Sequence, residues 1–279
     1  MINSLSAPLL FDRQLLRQRR SRLSVGSINK TRLYKYLRDE LTDRLSLIKR
    51  SFENVLILGD YTPPSTLAFR NCLQISLTGA ANPIIFDDEF LPFGQAKFDL
   101  IISFMEMHYF NDIPGFLQQV KYSLQPDGFF MGVMLGQDTL WQLSQATQIA
   151  EEKVRGGVSP RVAPMIKLSD AAALMQRAGF ALPVVDMDRL QINYATSYEL
   201  LIDLKTMGLT NIQCERSKIL CQKAFLNYLN SFYQEHFTEV DKVVATFTAV
   251  YLSGWKPSNS QPKALKRGSA ASNLIDFLK

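Results

Sequence analysis

Apolar runs and helix-like periodicities alternate along the first half of the chain. A strand covered on both faces shows an unbroken apolar run, and three such runs occur before residue 136. Between residues 31 and 50, leucine and isoleucine recur every three or four positions, which predicts an amphipathic helix. The predicted elements are a helix at 31–50, a strand at 54–58, a helix at 65–73, short strands at 75–77 and 83–86, a strand at 98–104, a helix at 112–124, a strand at 129–135 and a helix at 139–153. Strands that alternate with helices in this way predict βαβ units and a parallel sheet.

The second half has a different pattern. Ser169 is a predicted N-cap for a helix that ends at Gly179. Strands at 184–194 and 243–255 enclose predicted helices at 197–208 and 215–235, and the last strand is expected to be antiparallel.

Composition narrows the class of protein. The 279 residues are 47% hydrophobic and 20% charged, which is ordinary for a globular chain. No apolar run is long enough to cross a bilayer, and the start does not have the pattern of a secretory signal. Three cysteines without CxxC spacing indicate a reducing compartment and no disulfide framework.

Positive charge is concentrated at the start. Residues 1–50 hold 12 basic and 4 acidic side chains, a net charge of +8, and the remainder has a net charge of −3. Such a segment can bind nucleic acid, an acidic membrane or an acidic partner, or can be a solvated helical face. It lacks the interleaved aromatics and the motifs of nucleic-acid binders, so no nucleic-acid partner is expected. An arginine-rich start is also typical of a mitochondrial transit peptide, but Asp12 argues against a cleaved segment.

The stretch VLILGDYTPPST, residues 55–66, has an unusual continuation. A buried strand runs into Gly59, as it does before a nucleotide-binding turn, but no further glycine follows. Tyr61 adds a large side chain, and Pro63 and Pro64 remove two backbone N–H donors.

Several phrases, in order and over nearly the whole chain, resemble one known group. They are LFDR at 10–13, DDEFLPF at 87–93, FDLIIS at 98–103, LQPDGFFMGVMLGQDTLWQL at 124–143, GGVSPRVAP at 156–164, QINY at 191–194, ELLIDLKTMG at 199–208, GWK at 254–256 and KRGSA at 266–270. The chain resembles class I S-adenosylmethionine (SAM) methyltransferases. Within them it is most similar to the complex I assembly-factor type, which is associated with arginine hydroxylation and is related to malonyl-carrier-protein O-methyltransferase.

The resemblance implies an α/β fold with a Rossmann-like sheet, mostly parallel with an antiparallel last strand. It also implies a division into a basic helical segment at 1–50 and a methyltransferase-like domain at 51–279. A helical insertion on the substrate side would lie at about 195–240.

The resemblance also implies where SAM would bind. Glycines of the family turn fall near Tyr61 and Pro63, and the acidic residue that takes the ribose hydroxyls falls near Ser76. A hydroxyl there makes weaker contacts than a carboxylate, so weak or absent SAM binding is expected. The candidate cofactor-binding residues are Gly59, Asp60, Ser76, Asp87, Asp88, Ser103 and Phe104.

His108 is the candidate general base, and its alternative role is packing beside Tyr109 and Phe110. With two histidines in the chain, no metal site is expected.

Two functions stay open at this point. One is a methyltransferase-like protein with a degenerate cofactor site that serves as an assembly or partner-binding factor for respiratory complex I. The other is an active SAM-dependent methyltransferase or arginine-modifying enzyme, acting on a protein or an acyl carboxylate. The partner is expected to be a complex I subunit or another protein. The expected location is bacterial cytoplasm, with the mitochondrial matrix as the alternative. The sequence predicts neither substrate nor oligomeric state.

Overall fold

A computed structural model describes residues 9–23, 25–67, 69–76, 84–85, 89–219, 221–262 and 268–269, of which residues 25, 84 and 85 are described by backbone alone. No helix in this part of the chain is long and apolar enough to cross a membrane.

The described elements follow the predicted alternation. The helices are α1 Arg13–Arg20, α2 Val25–Ile28, α3 Arg32–Ser46, α4 Ile113–Ser123, α5 Trp141–Arg155, α6 Leu168–Ala178, α7 Ser197–Thr206 and α8 Lys223–His236. The strands are β1 Asn54–Leu58, β2 Asn71–Ser76, β3 Ile84–Ile85, β4 Phe98–Phe104, β5 Leu124–Leu135, β6 Ala181–Tyr194, β7 Thr238–Glu239 and β8 Lys242–Trp255.

One mixed sheet organises the molecule. Its strand order is β3-β2-β1-β4-β5-β8-β6, and β7 pairs with β8 outside this path. The first five strands of that order are parallel, whereas β8 lies antiparallel to both β5 and β6. The prediction of a Rossmann-like sheet with a reversed last strand is therefore confirmed. The carboxyl ends of β1, β2 and β4 meet at one edge, where such sheets bind ligands.

Apolar cores cover the two faces of the sheet. On one face, Leu37 and Leu41 of α3 belong to the same buried cluster as Ile57 and Ile102. On the other face, residues of α4 and α6 pack on the alternate side chains of β1, β4 and β5. Part of segment 1–50 therefore packs in the same core as the sheet, while the division at residue 50 stays a prediction.

Three local predictions were wrong. The helix expected at 65–73 is replaced by a turn at 65–67 followed by β2, because residues 71–75 pair in parallel register with β1. The described residues between β1 and β2 contain no helix. Ser169 is not the N-cap, since α6 begins at Leu168, although Gly179 does end it with a positive φ of 76°. The helix expected at 215–235 begins only at Lys223.

Candidate functional site

Gly59 begins the loop at the carboxyl edge of the sheet. Its φ of 95° lies in the region that favours glycine. A Cβ added there would overlap the carbonyl oxygen of Phe104 and come within 3.0 Å of the Glu106 side chain. The close backbone approach that glycine permits is therefore used by the loop that follows β4.

Tyr61 turns back into the core, and its side chain is fully buried. The centre of its ring lies 5.5 Å from that of Phe104, and its hydroxyl shares a 2.9 Å hydrogen bond with the hydroxyl of Thr42 on α3. Gln74 on β2 donates from one amide nitrogen to the carbonyl oxygens of Gly59, at 2.8 Å, and of Tyr61, at 3.1 Å. The loop after β1 is thus hydrogen-bonded to α3 and β2 and packed on the end of β4. Burial raises the pKa of Tyr61, and the bond to Thr42 acts in the opposite direction.

Asp60 and Ser76 come together at the ends of β1 and β2. The Ser76 hydroxyl donates to Asp60 Oδ1 over 2.7 Å, and both side chains are buried. The position where the family resemblance implies an acidic residue therefore holds a hydroxyl that is bonded to the acid of the neighbouring loop.

A buried ion pair joins α1 to the loop after β4 at this edge of the sheet. Arg20 on α1 donates to Glu106 Oε2, and both side chains are only 3% exposed. Arg20 also reaches the carbonyl oxygen of Met105, at 3.4 Å. Sequence reasoning missed this pair, because nothing in the local pattern links two residues 86 positions apart. The only available signals were a basic residue in an amphipathic helix and an acidic residue just after a buried strand.

The segment before α1 is fastened to the same edge. Asn111 accepts from the backbone N–H groups of Leu10 and Phe11, at 3.0 and 2.9 Å, and donates to the carbonyl oxygen of Phe11. Arg13 lies 3.3 Å from Glu89, which also accepts from a backbone N–H in the loop after β4. The basic start of the chain is therefore folded over the carboxyl ends of the strands.

His108 lies in a short 3₁₀ turn, Met107–Tyr109, beneath this cover. Its ring is buried against that of Tyr109, and among the described residues neither ring nitrogen has a hydrogen-bond partner. Burial lowers its pKa well below the usual 6.5, and the charges of Arg20 and Arg13 lower it further. The imidazole is therefore neutral at pH 7. It can accept a proton in principle, but two neighbouring cations oppose the charge that would result.

The structure brings together some of the predicted site residues but not all of them. Gly59, Asp60, Ser76 and Phe104 lie in contact with one another or with the same loops. Ser103 is buried at the end of β4, and its hydroxyl has no hydrogen-bond partner in the part of the chain that the structure describes. Asp87 and Asp88 lie outside the described residues. Whether these residues contact a cofactor stays a prediction. Within the described ranges, no three His, Cys, Asp or Glu side chains are grouped so that they could hold a metal ion.

Comparison with known proteins identifies the family of this arrangement. Residues 31–183 match a family described as a methyltransferase domain. The mitochondrial arginine-hydroxylase NDUFAF5 of Danio rerio is 34% identical, over 97% of this chain and 90% of that protein. The human protein of the same name is 33% identical, over 94% and 81%. A malonyl-[acyl-carrier protein] O-methyltransferase of Methylovorus is 29% identical, over 81% and 82%.

Solved structures agree on the fold. Phosphoethanolamine N-methyltransferase 2 of Haemonchus contortus, solved with phosphomonomethylethanolamine and S-adenosylhomocysteine, superposes with a TM-score of 0.51 at 14% identity, covering 87% of this chain and 61% of that one. The YcgJ protein of Bacillus subtilis gives a TM-score of 0.50 at 15% identity, covering 79% and 99%. At these identities the likeness concerns the fold alone.

Proposed function

The chain belongs to the methyltransferase-domain family, and from that premise we propose that it is a methyltransferase-like protein with a degenerate cofactor site. It acts as an assembly or partner-binding factor connected with respiratory complex I. The observation that carries this proposal is the position of Tyr61, whose side chain is fully buried in the loop after β1.

The residues of the loop do not fit SAM held by a glycine-rich turn. Such a turn works because a ligand can come close to the backbone where no Cβ stands. Here the free side of Gly59 is occupied by the Phe104 carbonyl group and the Glu106 side chain. The Tyr61 ring is packed on Phe104, at the end of the strand where the sulfonium would lie.

The residue at position 76, which would contact the ribose of SAM, also fits the cofactor poorly. A carboxylate at position 76 would accept two charge-assisted hydrogen bonds from the ribose hydroxyls. The Ser76 hydroxyl instead donates a hydrogen bond to Asp60. Losing the glycine turn and this acid together weakens a micromolar affinity by a factor of about 10³. These contacts support weak or absent SAM binding.

The relatives indicate a protein partner. Two relatives that match nearly the whole chain are named as mitochondrial arginine hydroxylases, and arginine is a protein side chain. We take a subunit of complex I as the partner, in the mitochondrial matrix or in the cytoplasm of a bacterium, with no role for nucleic acid.

An active enzyme that modifies arginine or an acyl carboxylate is the second candidate. His108 favours it, because a buried imidazole without hydrogen bonds is poised to take a partner. However, Glu89 and Glu106, the nearby carboxylates that could pair with a substrate guanidinium, face Arg13 and Arg20 of the chain itself. This second function therefore requires α1 to move away.

Two assays on the full chain separate the candidates. With methyl-labelled SAM, we expect no label on a malonyl thioester or on co-purified protein, and label on either would establish a methyltransferase. Affinity purification of the tagged chain from its own host should recover a complex I subunit. If no such subunit appears above an untagged control, the assembly role is wrong.

A further inference from the structure

A cavity adjoins the carboxyl end of α1. It is enclosed by the end of α1, the turn that follows it and the end of α7, and its volume is about 500 Å³. This is within the range of small-molecule sites. Of the described residues that line it, Arg19, Arg22 and Lys205 are basic and none is acidic. Two of the basic residues of segment 1–50, Arg19 and Arg22, therefore line this cavity.

Arg19 is held in place before any ligand binds. Its Nη1 donates to the Thr210 hydroxyl, at 3.0 Å, and to the carbonyl oxygen of Asn211, at 2.7 Å. These bonds fix the plane of the guanidinium, and a fixed fork binds a phosphate or carboxylate with little loss of conformational entropy. Burial and the charge of Arg216 lower the pKa of Arg19, and the nearby Tyr109 and Asp12 act in the opposite direction.

Two leucines supply the apolar part of the wall. Leu23 and Leu201 line the cavity and are half-buried. Gly208 has a φ of 72°, and a Cβ added there would come 3.0 Å from a methyl group of Leu23. The cavity therefore offers cations for one end of a ligand and aliphatic carbon for the other.

We propose that this cavity binds a small organic anion, with a phosphate or carboxylate held by Arg19, Arg22 and Lys205 and an apolar group against Leu23 and Leu201. This site is independent of the cofactor edge and of the function proposed for it. A purely inorganic anion would use the cations alone, and an uncharged apolar molecule would leave them without partners.

Calorimetric titration of the full chain tests the site with defined probes. Phenyl phosphate and benzoate carry both parts of the expected ligand, inorganic phosphate lacks the apolar part, and benzyl alcohol lacks the charge. We expect at least one of the first two to bind more tightly than phosphate, and benzyl alcohol not to bind. Binding of phenyl phosphate alone assigns a phosphate, and binding of benzoate alone assigns a carboxylate. If neither binds at concentrations up to about 10 mM, the proposal is wrong.

Matched variants locate the binding. Arg22→Gln and Lys205→Gln each remove an exposed cation. Each should lower the affinity for the preferred probe, which is whichever of phenyl phosphate and benzoate binds more tightly, by about fivefold or more. Lys97→Gln removes an equally exposed charge at the amino end of β4 and should leave the affinity unchanged. Leu201→Asn should reduce the preference for the preferred probe over inorganic phosphate. An equal loss in the Lys97 variant would indicate diffuse charge attraction and overturn the proposal.

Discussion

At the scale of single residues, the loop after β1 depends on where Tyr61 places its ring. The ring is buried between α3 and the end of β4, and its hydroxyl reaches Thr42. A glycine at this position would leave that volume empty, and a ligand could then reach the backbone. The same side chain therefore completes the core and, on the proposal above, covers the position of the family turn.

Substitutions at Tyr61 should show this core role. Tyr61→Ala should lower the free energy of unfolding by about 3–5 kcal/mol, because it leaves a cavity beside Phe104. Tyr61→Phe keeps the ring, loses only the bond to Thr42 and should cost about 1 kcal/mol. Urea unfolding followed by far-UV circular dichroism measures both. Similar losses in the two variants would show that the ring contributes little.

His108 should make stability depend on pH. Its pKa in the folded state lies below 6.5, so beneath that pH the unfolded chain binds a proton that the folded chain does not. Stability is therefore fully present above about pH 6.5 and falls as the pH decreases, by at most about 1.4 kcal/mol per unit from this residue. His108→Gln should reduce that slope between pH 7 and 5. Because every other titratable group is common to the two proteins, the difference between the two slopes isolates His108. If stability falls equally steeply with pH in the two proteins, the pKa of His108 is not lowered in the folded state.

At the scale of elements, side-chain hydrogen bonds join α1, α3 and β2 to the loops after β1 and β4. α1 contributes Arg20 to Glu106, β2 contributes Gln74 to the loop after β1, and α3 contributes Thr42 to Tyr61. None of these contacts joins neighbours in sequence. This set of contacts is therefore a property of the assembled fold.

The ion pair between α1 and the loop after β4 should behave as a coupled unit. Arg20→Met leaves Glu106 as a buried charge and should cost about 3–5 kcal/mol, and Glu106→Met should cost a similar amount. The double variant removes both charges and should be more stable than the sum of the two losses predicts. Chemical unfolding of the four proteins measures the cycle. Additive losses would show that the two side chains are not coupled.

Restoring the family acid on β2 should destabilise the fold. Ser76→Asp places a second carboxylate beside buried Asp60 and removes the hydroxyl that Asp60 accepts from. A loss of about 2 kcal/mol or more is expected near pH 7. Adding Asp60→Asn should recover part of it, because one of the two charges is then removed. A fully stable single variant would show that the edge still accommodates an acid at position 76.

At the scale of the whole molecule, the sheet could be predicted from sequence because buried strands have a strong local signal. The runs at 54–58, 98–104 and 129–135 all lie in strands, and β8 is antiparallel as expected. The prediction of a helix at 65–73 was wrong, because residues 71–75 pair with β1 and this pairing outweighed a weak local preference for helix.

The candidate site could be predicted only in part. From the family resemblance, the sequence predicted Tyr61 and Ser76 as replacements at positions that a cofactor would use, and this stays a prediction. It could not predict that Tyr61 bonds to α3 or that Arg20 pairs with Glu106, because both contacts depend on the assembled fold. Local pattern thus indicated which residues changed, and three-dimensional packing determined what they do instead.

The central claim is that the chain fills its own cofactor position, and SAM binding tests it most directly. Isothermal titration of the purified full chain with SAM, beside a malonyl-carrier-protein O-methyltransferase as a positive control, should give saturable heat for the control alone. We expect no saturation of this chain below about 1 mM, because of the expected loss of about 10³ in affinity. A dissociation constant in the low micromolar range would contradict the account.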